Sequence, residues 1–222
     1  MSSSDCSKRI YRNVGNQELL KLVSRLPPGR ALDCGCGAGD NARALSSIGW
    51  DVVGITISSR EQEEASQFCT QVYLQDLEYG LPPDVRGEFD LVVFSHVLEH
   101  IRNPSKILQD AGTVLAKGGR VAGALPNVLY WKIRLQFALG RFEYEESGLM
   151  DSTHVHFYTF ESGKRLLELS GFQLIESAVE GWFPSWGLRR LMPDAAHSMD
   201  RLACRLLPGC FGYQLLYVAE LP

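Results

Sequence analysis

The stretch that most constrains the fold is a short apolar strand that runs into alternating glycines. Residues 31–33 read Ala-Leu-Asp, and residues 34–39 read Cys-Gly-Cys-Gly-Ala-Gly. A helical pattern follows at 41–47. Glycine lets the backbone turn sharply and approach a ligand closely. Strand, glycine loop and helix in this order are typical of the first unit of an open α/β sheet, which binds ligands at the carboxyl ends of its strands. The sequence therefore predicts a ligand-binding loop here, in preference to a tight turn without a ligand.

Apolar strands and amphipathic helices alternate along the rest of the chain. The pattern predicts strands at 31–33, 51–57, 72–75, 89–95, 119–125, 172–179 and 213–220. It predicts helices at 16–26, 41–47, 59–68 and 161–170, and one that starts at Pro104 after an Asn103 cap. A capping box of Ser59 with Gln62 is expected to start the helix at 59–68. This alternation indicates an α/β, Rossmann-like fold with a mostly parallel sheet and helices on both faces.

The chain has 222 residues, which suggests one domain spanning 1–222 with two embellishments. The first, at 127–160, is aromatic and basic without a clean period. The second, at 182–211, is expected to be a helical insertion. Within it, an amphipathic helix is predicted at 193–207, with Ala195, Met199, Leu202 and Leu206 on one face. The mix of Trp, Leu and Arg in this insertion is compatible with a membrane surface, with a cover for the sheet, or with a dimer contact.

Composition limits the partners and the compartment. With 22 Lys+Arg against 26 Asp+Glu, the net charge is −4, which argues against a surface that coats nucleic acid. The six cysteines show neither Cys-x-x-Cys nor zinc spacing, so free thiols in a reducing, cytoplasmic compartment are expected. Residues 1–7 are polar and predict no signal peptide, and no apolar run of about 18 residues predicts a membrane span.

The residues around the glycine loop indicate which ligand it takes. A dinucleotide motif G-x-G-x-x-G needs glycine at position 40, where the chain has Asp40. An acidic residue suits a cationic sulfonium or amine better than a pyrophosphate. Asp33 followed by glycines at 35, 37 and 39 resembles the first motif of the class I S-adenosylmethionine-dependent methyltransferases.

The resemblance extends along the chain to about residue 216. Asp76 matches the acidic residue that these enzymes place near the adenine amino group, residues 89–100 end in the family's typical V-L-E-H, and residues 115–119 match its turn before the fifth strand. It implies S-adenosylmethionine as the cofactor and a seven-stranded sheet whose last strand is antiparallel. The cofactor site is then expected to comprise Asp33, Gly35, Gly37, Gly39, Thr56, Ile57, Gln62, Asp76, Leu77, Ser95 and His96.

One position departs from the family. Its second strand usually ends in an acidic residue that grips the ribose hydroxyls, and here Thr56 stands in that place. The threonine variant is similar to the second motif of cyclopropane-fatty-acid-synthase-like enzymes. The Thr56 hydroxyl can form a hydrogen bond without charge assistance, and Gln62, one helical turn on, is expected to supply a further polar contact. The alternative is that Thr56 is only a β-branched strand residue.

The acceptor side has its own motif. Residues 148–154 and 157–159 resemble a subgroup with a G-L-L-D-x-T-H-x-x-F-x-T segment, common among enzymes that tailor glycans, lipids and other metabolites. Because 127–160 follows the fifth strand, we expect it to lie over the ligand crevice as a substrate lid with an aromatic-lined pocket. The alternative is a helical hairpin that packs its aromatic side chains on the core.

Three polar residues in this segment are the first candidates for catalysis. His154 is expected to act as the base for an acceptor hydroxyl, with Asp151 orienting it and His156 on the same face. His100, with Glu99 and His96, forms the second set of candidates. His154 has a structural alternative, a hydrogen bond to the backbone, and no metal is expected because the spacing matches no standard site.

The sequence thus predicts an enzyme that transfers a methyl group from S-adenosylmethionine to a small-molecule, glycan or lipid-precursor acceptor, with a hydroxyl oxygen favoured. N- or C-methylation of a secondary metabolite is the alternative within the class. A nicotinamide-dependent oxidoreductase is disfavoured by Asp40 and Thr56, and a non-catalytic cofactor-binding protein by the acceptor-side residues. Nucleic-acid amino-methylation would need an N/D-P-P-Y-type motif where residues 95–97 read Ser-His-Val. The oligomeric state stays open.

Overall fold

The computed structural model describes residues 15–222 and shows seven strands. The strands are β1 (Arg30–Cys34), β2 (Asp51–Thr56), β3 (Gln71–Leu74), β4 (Phe89–Ser95), β5 (Leu115–Pro126), β6 (Gln173–Gly181) and β7 (Gly212–Glu220). The α-helices are α1 (Gln17–Val23), α2 (Asp40–Ser47), α3 (Ser59–Ala65), α4 (Pro104–Val114), α5 (Trp131–Ala138), α6 (Phe160–Leu169), α7 (Trp186–Leu191), α8 (Pro193–Leu206) and α9 (Pro208–Phe211). Short 3₁₀ turns follow β3 and β4, at Leu77–Tyr79 and Leu98–His100.

The strands form one sheet in the order β3-β2-β1-β4-β5-β7-β6. β1 pairs in parallel with β2 on one side and β4 on the other, and β7 runs antiparallel between β5 and β6. The predicted Rossmann-like sheet with one antiparallel strand is confirmed. The strand order reverses between β1 and β4, and open α/β sheets bind their ligands at such a point along the carboxyl edge.

The central strands are apolar on both faces because helices cover both. In β1, Leu32 and Cys34 join the core on one face of the sheet, and Ala31 joins the core on the other. In β4, Phe94 and Leu91 divide between the two cores in the same way. Near-continuous apolar runs are the sequence signal of such doubly covered strands.

Side-chain caps set the starts of most helices that flank the crevice. Asn103 caps α4 with Pro104 at its first position, as predicted. The predicted capping box of α3 is wrong by one residue. Ser58, not Ser59, accepts a hydrogen bond from the Glu61 backbone N–H. The helix ends at Ala65, where two hydrogen bonds from the backbone N–H of the C-cap residue close its last turn.

The insertion at 127–160 contains one helix, α5, that the sequence pattern did not indicate because its residues lack a clear 3.6-residue period. Asn127 at the start of the insertion bridges to Tyr158 near its end, and the Val128 N–H donates to the Tyr158 carbonyl. A second bridge joins Glu145 and Asp151. The two ends of the insertion are therefore held side by side against the carboxyl edge of the sheet.

The apolar face predicted for the C-terminal helix is not the face that the helix buries. α8 buries Ala196, Asp200, Ala203 and Cys204, whereas Leu202 and Leu206 are 56% and 68% exposed. The reason is polar: the Asp200 carboxylate accepts two hydrogen bonds from Arg189 and one from the Phe183 N–H, which turns that face inward. Contact of the exposed leucines with a membrane surface stays a prediction.

Two findings concern compartment and membrane. In residues 15–222, no helix has the length and hydropathy needed to cross a bilayer. The five cysteines in this part of the chain are free thiols. The polar start at 1–7, including Cys6, lies outside the described residues.

The shifted cap gives a prediction about stability. Ser58→Ala removes the side-chain acceptor at the start of α3 and should lower the free energy of unfolding by about 1 kcal/mol. The matched variant Ser59→Ala changes an exposed neighbour and should stay within about 0.5 kcal/mol of the parent. Urea unfolding of the two variants measures the difference, and the reverse order would contradict the assignment of the cap.

Candidate active site

The glycine loop forms a tight backbone cradle at the end of β1. Gly35, Gly37 and Gly39 all have positive φ, at 76°, 52° and 89°, which L-residues with a side chain rarely adopt. A Cβ added at Gly35 would lie 2.6 Å from Val97 Cγ2, and one at Gly39 would lie 2.9 Å from Ala65 Cα. The loop is therefore restricted to glycine both by its backbone angles and by its close neighbours.

Asp33 is a buried acid at the end of β1, directly before the cradle. Its side chain is 1% exposed, and neither carboxylate oxygen has a hydrogen-bond partner within the described part of the chain. Burial raises the pKa of Asp33 to about 7. An uncompensated buried acid is costly, and such groups mark sites where a cationic or hydrogen-bonding ligand satisfies them.

Thr56, at the end of β2, is not a plain strand residue. Its Oγ1 donates to Glu61 Oε2 at 2.7 Å, and both side chains are buried. Gln62, expected from the sequence to supply a further polar contact at this site, instead donates through Nε2 to the Val72 carbonyl of β3. The end of β2 lacks the family's acidic residue, but the Glu61 carboxylate of α3 contacts Thr56 there. Ile57, the next residue, is half-buried at the same edge.

The other predicted cofactor residues follow β3 and β4. Asp76 caps the short turn Leu77–Tyr79 by accepting from the Glu78 N–H at 2.9 Å, and Leu77 is buried beneath it. Ser95 is half-buried at the last position of β4. Both stand at strand ends on the same edge as the glycine cradle, as the sequence predicts.

His96, directly after β4, has a strained backbone. Among the residues that the structure describes, it is the one non-glycine residue with a positive φ, which is 56°. Its Nδ1 lies 3.3 Å from Glu99 Oε1, and its Nε2 hydrogen bonds with Gln214 Oε1 at 2.7 Å. The ring is 41% exposed, and although partial desolvation opposes the charged form, Glu99, Gln214 and Glu180 together raise the pKa of His96. The strained turn thus holds an imidazole against a buried carboxylate.

Backbone hydrogen bonds fasten the acceptor-side segment to this turn. The Glu99 carbonyl accepts from the N–H groups of both Val155 and His156, at 2.9 and 3.1 Å. The His156 ring bonds through Nε2 with the Arg102 carbonyl, so it serves as a latch. Because of these contacts His154 reaches His100, with ring centroids 4.8 Å apart in an edge-to-face arrangement.

Asp151 does not orient His154, contrary to the sequence prediction. Its Oδ1 accepts from the N–H and the Oγ1 of Thr153, at 2.8 and 2.7 Å. The Thr153 Oγ1 is in turn 3.0 Å from His100 Nδ1. Since the threonine hydroxyl donates its hydrogen bond to Asp151, it accepts from His100 Nδ1–H, and in the neutral ring the lone pair is then on His100 Nε2. The sequence prediction paired the acid with His154, whereas the fold joins it to His100 through the intervening Thr153 hydroxyl.

Glu99 and His154 complete the group of proton acceptors. Glu99 is 0% exposed, and neither of its carboxylate oxygens nor Nδ1 of His154 has a hydrogen-bond partner in the described residues. Burial, together with the neighbouring charge of His100, lowers the pKa of His154 despite the opposing effects of Glu99 and Asp151. His154 is therefore neutral near pH 7. One ligating atom each from Glu99, His100 and His154 lies within 4.8 Å of the others. We call this set the Glu99 cluster.

An aromatic track leads from the surface to the Glu99 cluster. Phe137 stacks on Phe142, Phe142 meets Tyr144 edge to face, and Tyr144 contacts Phe157, with centroids 5.4, 5.5 and 6.4 Å apart. Phe157 then meets His154 at 6.0 Å. Phe142 and Tyr144 are more than half exposed. Tyr130 and Trp131, two further aromatic residues of 127–160, pack towards Tyr213 and Trp182 and do not join this track.

A family model described as a methyltransferase domain matches residues 9–177. This range includes the glycine cradle after β1 and the Glu99 cluster, which begins after β4. The chain belongs to the methyltransferase-domain family. The resemblance that the motifs carry is thereby confirmed.

Curated relatives match this chain over about half of its length. The ubiquinone biosynthesis O-methyltransferase of Psychrobacter cryohalolentis is 32% identical over 119 residues, which cover 50% of this chain and 46% of the relative. The enzyme of the same name from Methylococcus capsulatus is 36% identical over 112 residues, covering 48% and 47%. The chain spans a little under half the length of these relatives.

Solved structures share the fold at low identity. Magnesium protoporphyrin IX methyltransferase from Synechocystis, solved with bound S-adenosylhomocysteine, has a TM-score of 0.59 at 16% identity, covering 98% of this chain and 91% of that one. An S-adenosylmethionine-dependent methyltransferase from Archaeoglobus fulgidus has a TM-score of 0.63 at 19% identity, covering 92% and 94%. At these identities the likeness shows the fold alone.

Sequence reasoning missed Glu61 and Thr153 as members of the site. Glu61 lies five residues after Thr56, at a spacing where the first turn of a helix returns towards a strand end, and that spacing is the signal that could have found it. Thr153 stood inside the quoted motif, but its hydroxyl contacts are fixed by the position of His100, 53 residues away. No local pattern carries that information.

The buried acid at position 33 gives a pH prediction for the free protein. Between pH about 4 and 7 the unfolded chain loses a proton that folded Asp33 keeps, so this residue makes stability fall as pH rises through that range. Asp33→Asn should therefore gain stability relative to the parent as pH rises from 4 to 8, by up to on the order of 4 kcal/mol. Denaturant unfolding at both pH values measures the gap, and a gap that does not change with pH would contradict the buried charge.

Proposed function

We propose that this chain transfers a methyl group from S-adenosylmethionine to a hydroxyl oxygen of a small acceptor with an aromatic or apolar body. One observation carries the proposal. The buried acid and the glycine cradle lie at the end of β1, and the Glu99 cluster begins directly after β4, which pairs with β1. A cofactor site and a set of proton acceptors thus share one crevice at the point where the strand order reverses.

The cradle fits the cofactor in both shape and charge. Three positive-φ glycines let backbone approach the ligand, and the unpartnered Asp33 carboxylate matches a cationic group. We assign the ribose contact to Thr56 with Glu61 rather than Gln62, because the Gln62 amide is bonded to the backbone of β3. Asp76, Leu77, Ser95 and His96 complete the proposed cofactor site. When bound, S-adenosylmethionine supplies an electrophilic methyl group on a good leaving group, so positioning carries much of the rate.

The Glu99 cluster serves the acceptor. A hydroxyl must lose its proton as its oxygen forms the new bond to carbon, and neutral imidazoles and a buried carboxylate are suitable groups to promote that loss. His100 presents a lone pair at Nε2 because Thr153 and Asp151 hold its Nδ1 proton. Oxygen is favoured over nitrogen because these proton acceptors matter less for an amine that arrives neutral, and because the curated relatives bear the name O-methyltransferase.

The aromatic track favours an acceptor with an apolar or aromatic portion. Exposed aromatic rings that continue inward to His154 offer stacking surface for such a body while its hydroxyl reaches the cluster. We propose that 127–160 acts as the substrate lid of a single domain spanning 1–222, since this segment carries the whole track.

Calorimetry with S-adenosylhomocysteine tests the cofactor assignment. We expect stoichiometric binding of S-adenosylhomocysteine and none of NAD. Gly37→Val adds a branched side chain at a φ of 52° inside the cradle and should weaken S-adenosylhomocysteine binding at least about tenfold, equivalent to about 1.4 kcal/mol. A folded Gly37→Val variant with unchanged affinity, or a parent that binds only NAD, would refute the assignment.

Methyl transfer tests the acceptor side. With isotopically labelled S-adenosylmethionine and a panel of hydroxylated aromatic, lipid and glycan acceptors, we expect label on oxygen. His154→Ala should lower turnover about 10²- to 10⁴-fold with affinity for S-adenosylhomocysteine nearly unchanged. His197→Ala, which removes an exposed histidine of α8, is the matched control and should keep normal turnover. Normal turnover in His154→Ala would rule out this role.

A further inference from the structure

We infer that Glu99, His100 and His154 form a binding site for a divalent transition-metal cation at the carboxyl end of β4. The two histidines come from different parts of the chain, 54 positions apart, and are brought together by the hydrogen bonds that the Glu99 carbonyl accepts. The sequence predicted no metal because the spacing of Asp151, His154 and His156 fits no standard site. The set that the fold assembles is a different one.

The buried carboxylate is the first observation that points to a cation. Glu99 is fully buried, and the described residues give its oxygens no hydrogen bond. The group closest to serving as a partner for the Glu99 carboxylate is the His96 ring, whose Nδ1 lies 3.3 Å from Glu99 Oε1. A buried carboxylate needs hydrogen bonds, an ion pair or a metal to offset its lost hydration. His96 faces one oxygen only, so Oε2 stays available to a cation.

The imidazoles are the second, independent observation. His100 gives its Nδ1 proton to Thr153, which is itself bonded to Asp151, and its Nε2 lone pair is left for ligation. This histidine–hydroxyl–carboxylate chain is the kind of outer support that fixes the tautomer of metal-binding histidines. His154 Nδ1 is buried without a hydrogen-bond partner in the described residues, and its ring centroid lies 4.8 Å from that of His100.

The donor set selects the class of cation. Two imidazole nitrogens and one carboxylate suit Zn²⁺, Co²⁺, Fe²⁺ or Mn²⁺, whereas Mg²⁺ and Ca²⁺ prefer oxygen alone. Ligands at about 2.0–2.2 Å from such a metal lie about 3–4 Å from one another. One possible ligating atom from each residue lies within 4.8 Å of the others, so the longest separation shortens by about 1–2 Å on binding. Three protein ligands leave coordination positions free.

A role for the cation rests on the function proposed above. With the cation bound, His100 and His154 would act as ligands and not as proton acceptors. The acceptor hydroxyl would occupy a free position, where the cation would lower its pKa, and its proton would pass to solvent as the O–H bond breaks. The oxygen then forms the bond to the methyl carbon while the carbon–sulfur bond breaks and its electron pair stays on sulfur. Atoms and charge balance without any further reactant.

Binding of the metal alone tests the inference without reference to activity. Untagged, chelator-treated protein is titrated with Co²⁺, Mn²⁺ and Zn²⁺ by calorimetry, and the Co²⁺ form is examined by visible absorption. We expect one site per chain with nitrogen and oxygen ligands and no thiolate charge-transfer band. Glu99→Gln and His154→Ala should each weaken binding at least about 100-fold. His197→Ala, which removes an exposed histidine of α8 outside the cluster, is the matched control and should bind normally.

Two results would overturn the metal site: no stoichiometric binding of any of the three cations, or binding that both Glu99→Gln and His154→Ala leave unchanged. Retained binding of S-adenosylhomocysteine shows that a variant is folded. The outcomes also separate this inference from the proposed function. Metal binding at the cluster in a protein without methyl transfer supports the site and refutes the function, whereas methyl transfer that persists after complete removal of metal supports the function and refutes the role of the cation.

Discussion

The parallel pairing of β1 with β4 is the constraint on which the rest of the site depends. Ala31 to Cys34 lie in register with Leu91 to Phe94, so both strands end at the same level of the sheet. Because the strand order reverses here, the chain leaves the two strands towards different sides, and the space between the exits is the crevice. The glycine cradle leaves from one strand and the turn with His96 and Glu99 from the other. Gly35 is so close to Val97 that even a Cβ would clash, which shows how tightly the two exits pack.

Buried acids are concentrated along this edge at a cost in stability. Asp33 and Glu99 each place a carboxylate in the interior with no hydrogen bond from the described residues, and Glu61 is held by Thr56. Proteins keep such groups where function needs them, since apolar replacements would stabilise the fold. One backbone carbonyl, that of Glu99, holds the acceptor segment in place through two N–H donors. The proposed cofactor and acceptor sites are thus linked by the same short turn.

The sequence predicted the fold well because the signals of a doubly covered sheet are local. Apolar runs located every strand, with ends off by a few residues, and Asn103 with Pro104 placed the start of α4. Errors arose where a long-range contact decides. The buried face of α8 is set by the ion pair of Asp200 with Arg189, and no period within the helix reveals it. Sequence reasoning selected Asp151, His154 and His100 but could not order them, because the Thr153 hydroxyl that joins Asp151 to His100 is positioned by the fold.

The central claim is that the glycine cradle and the Glu99 cluster face one reaction space. A crystal structure of the protein with S-adenosylhomocysteine tests it most directly. The account predicts the adenosyl group along the ends of β2 and β3 and the sulfur atom directed towards the cluster of Glu99, His100 and His154. A ligand bound elsewhere, or a sulfur atom directed away from that cluster with protein between them, would contradict it.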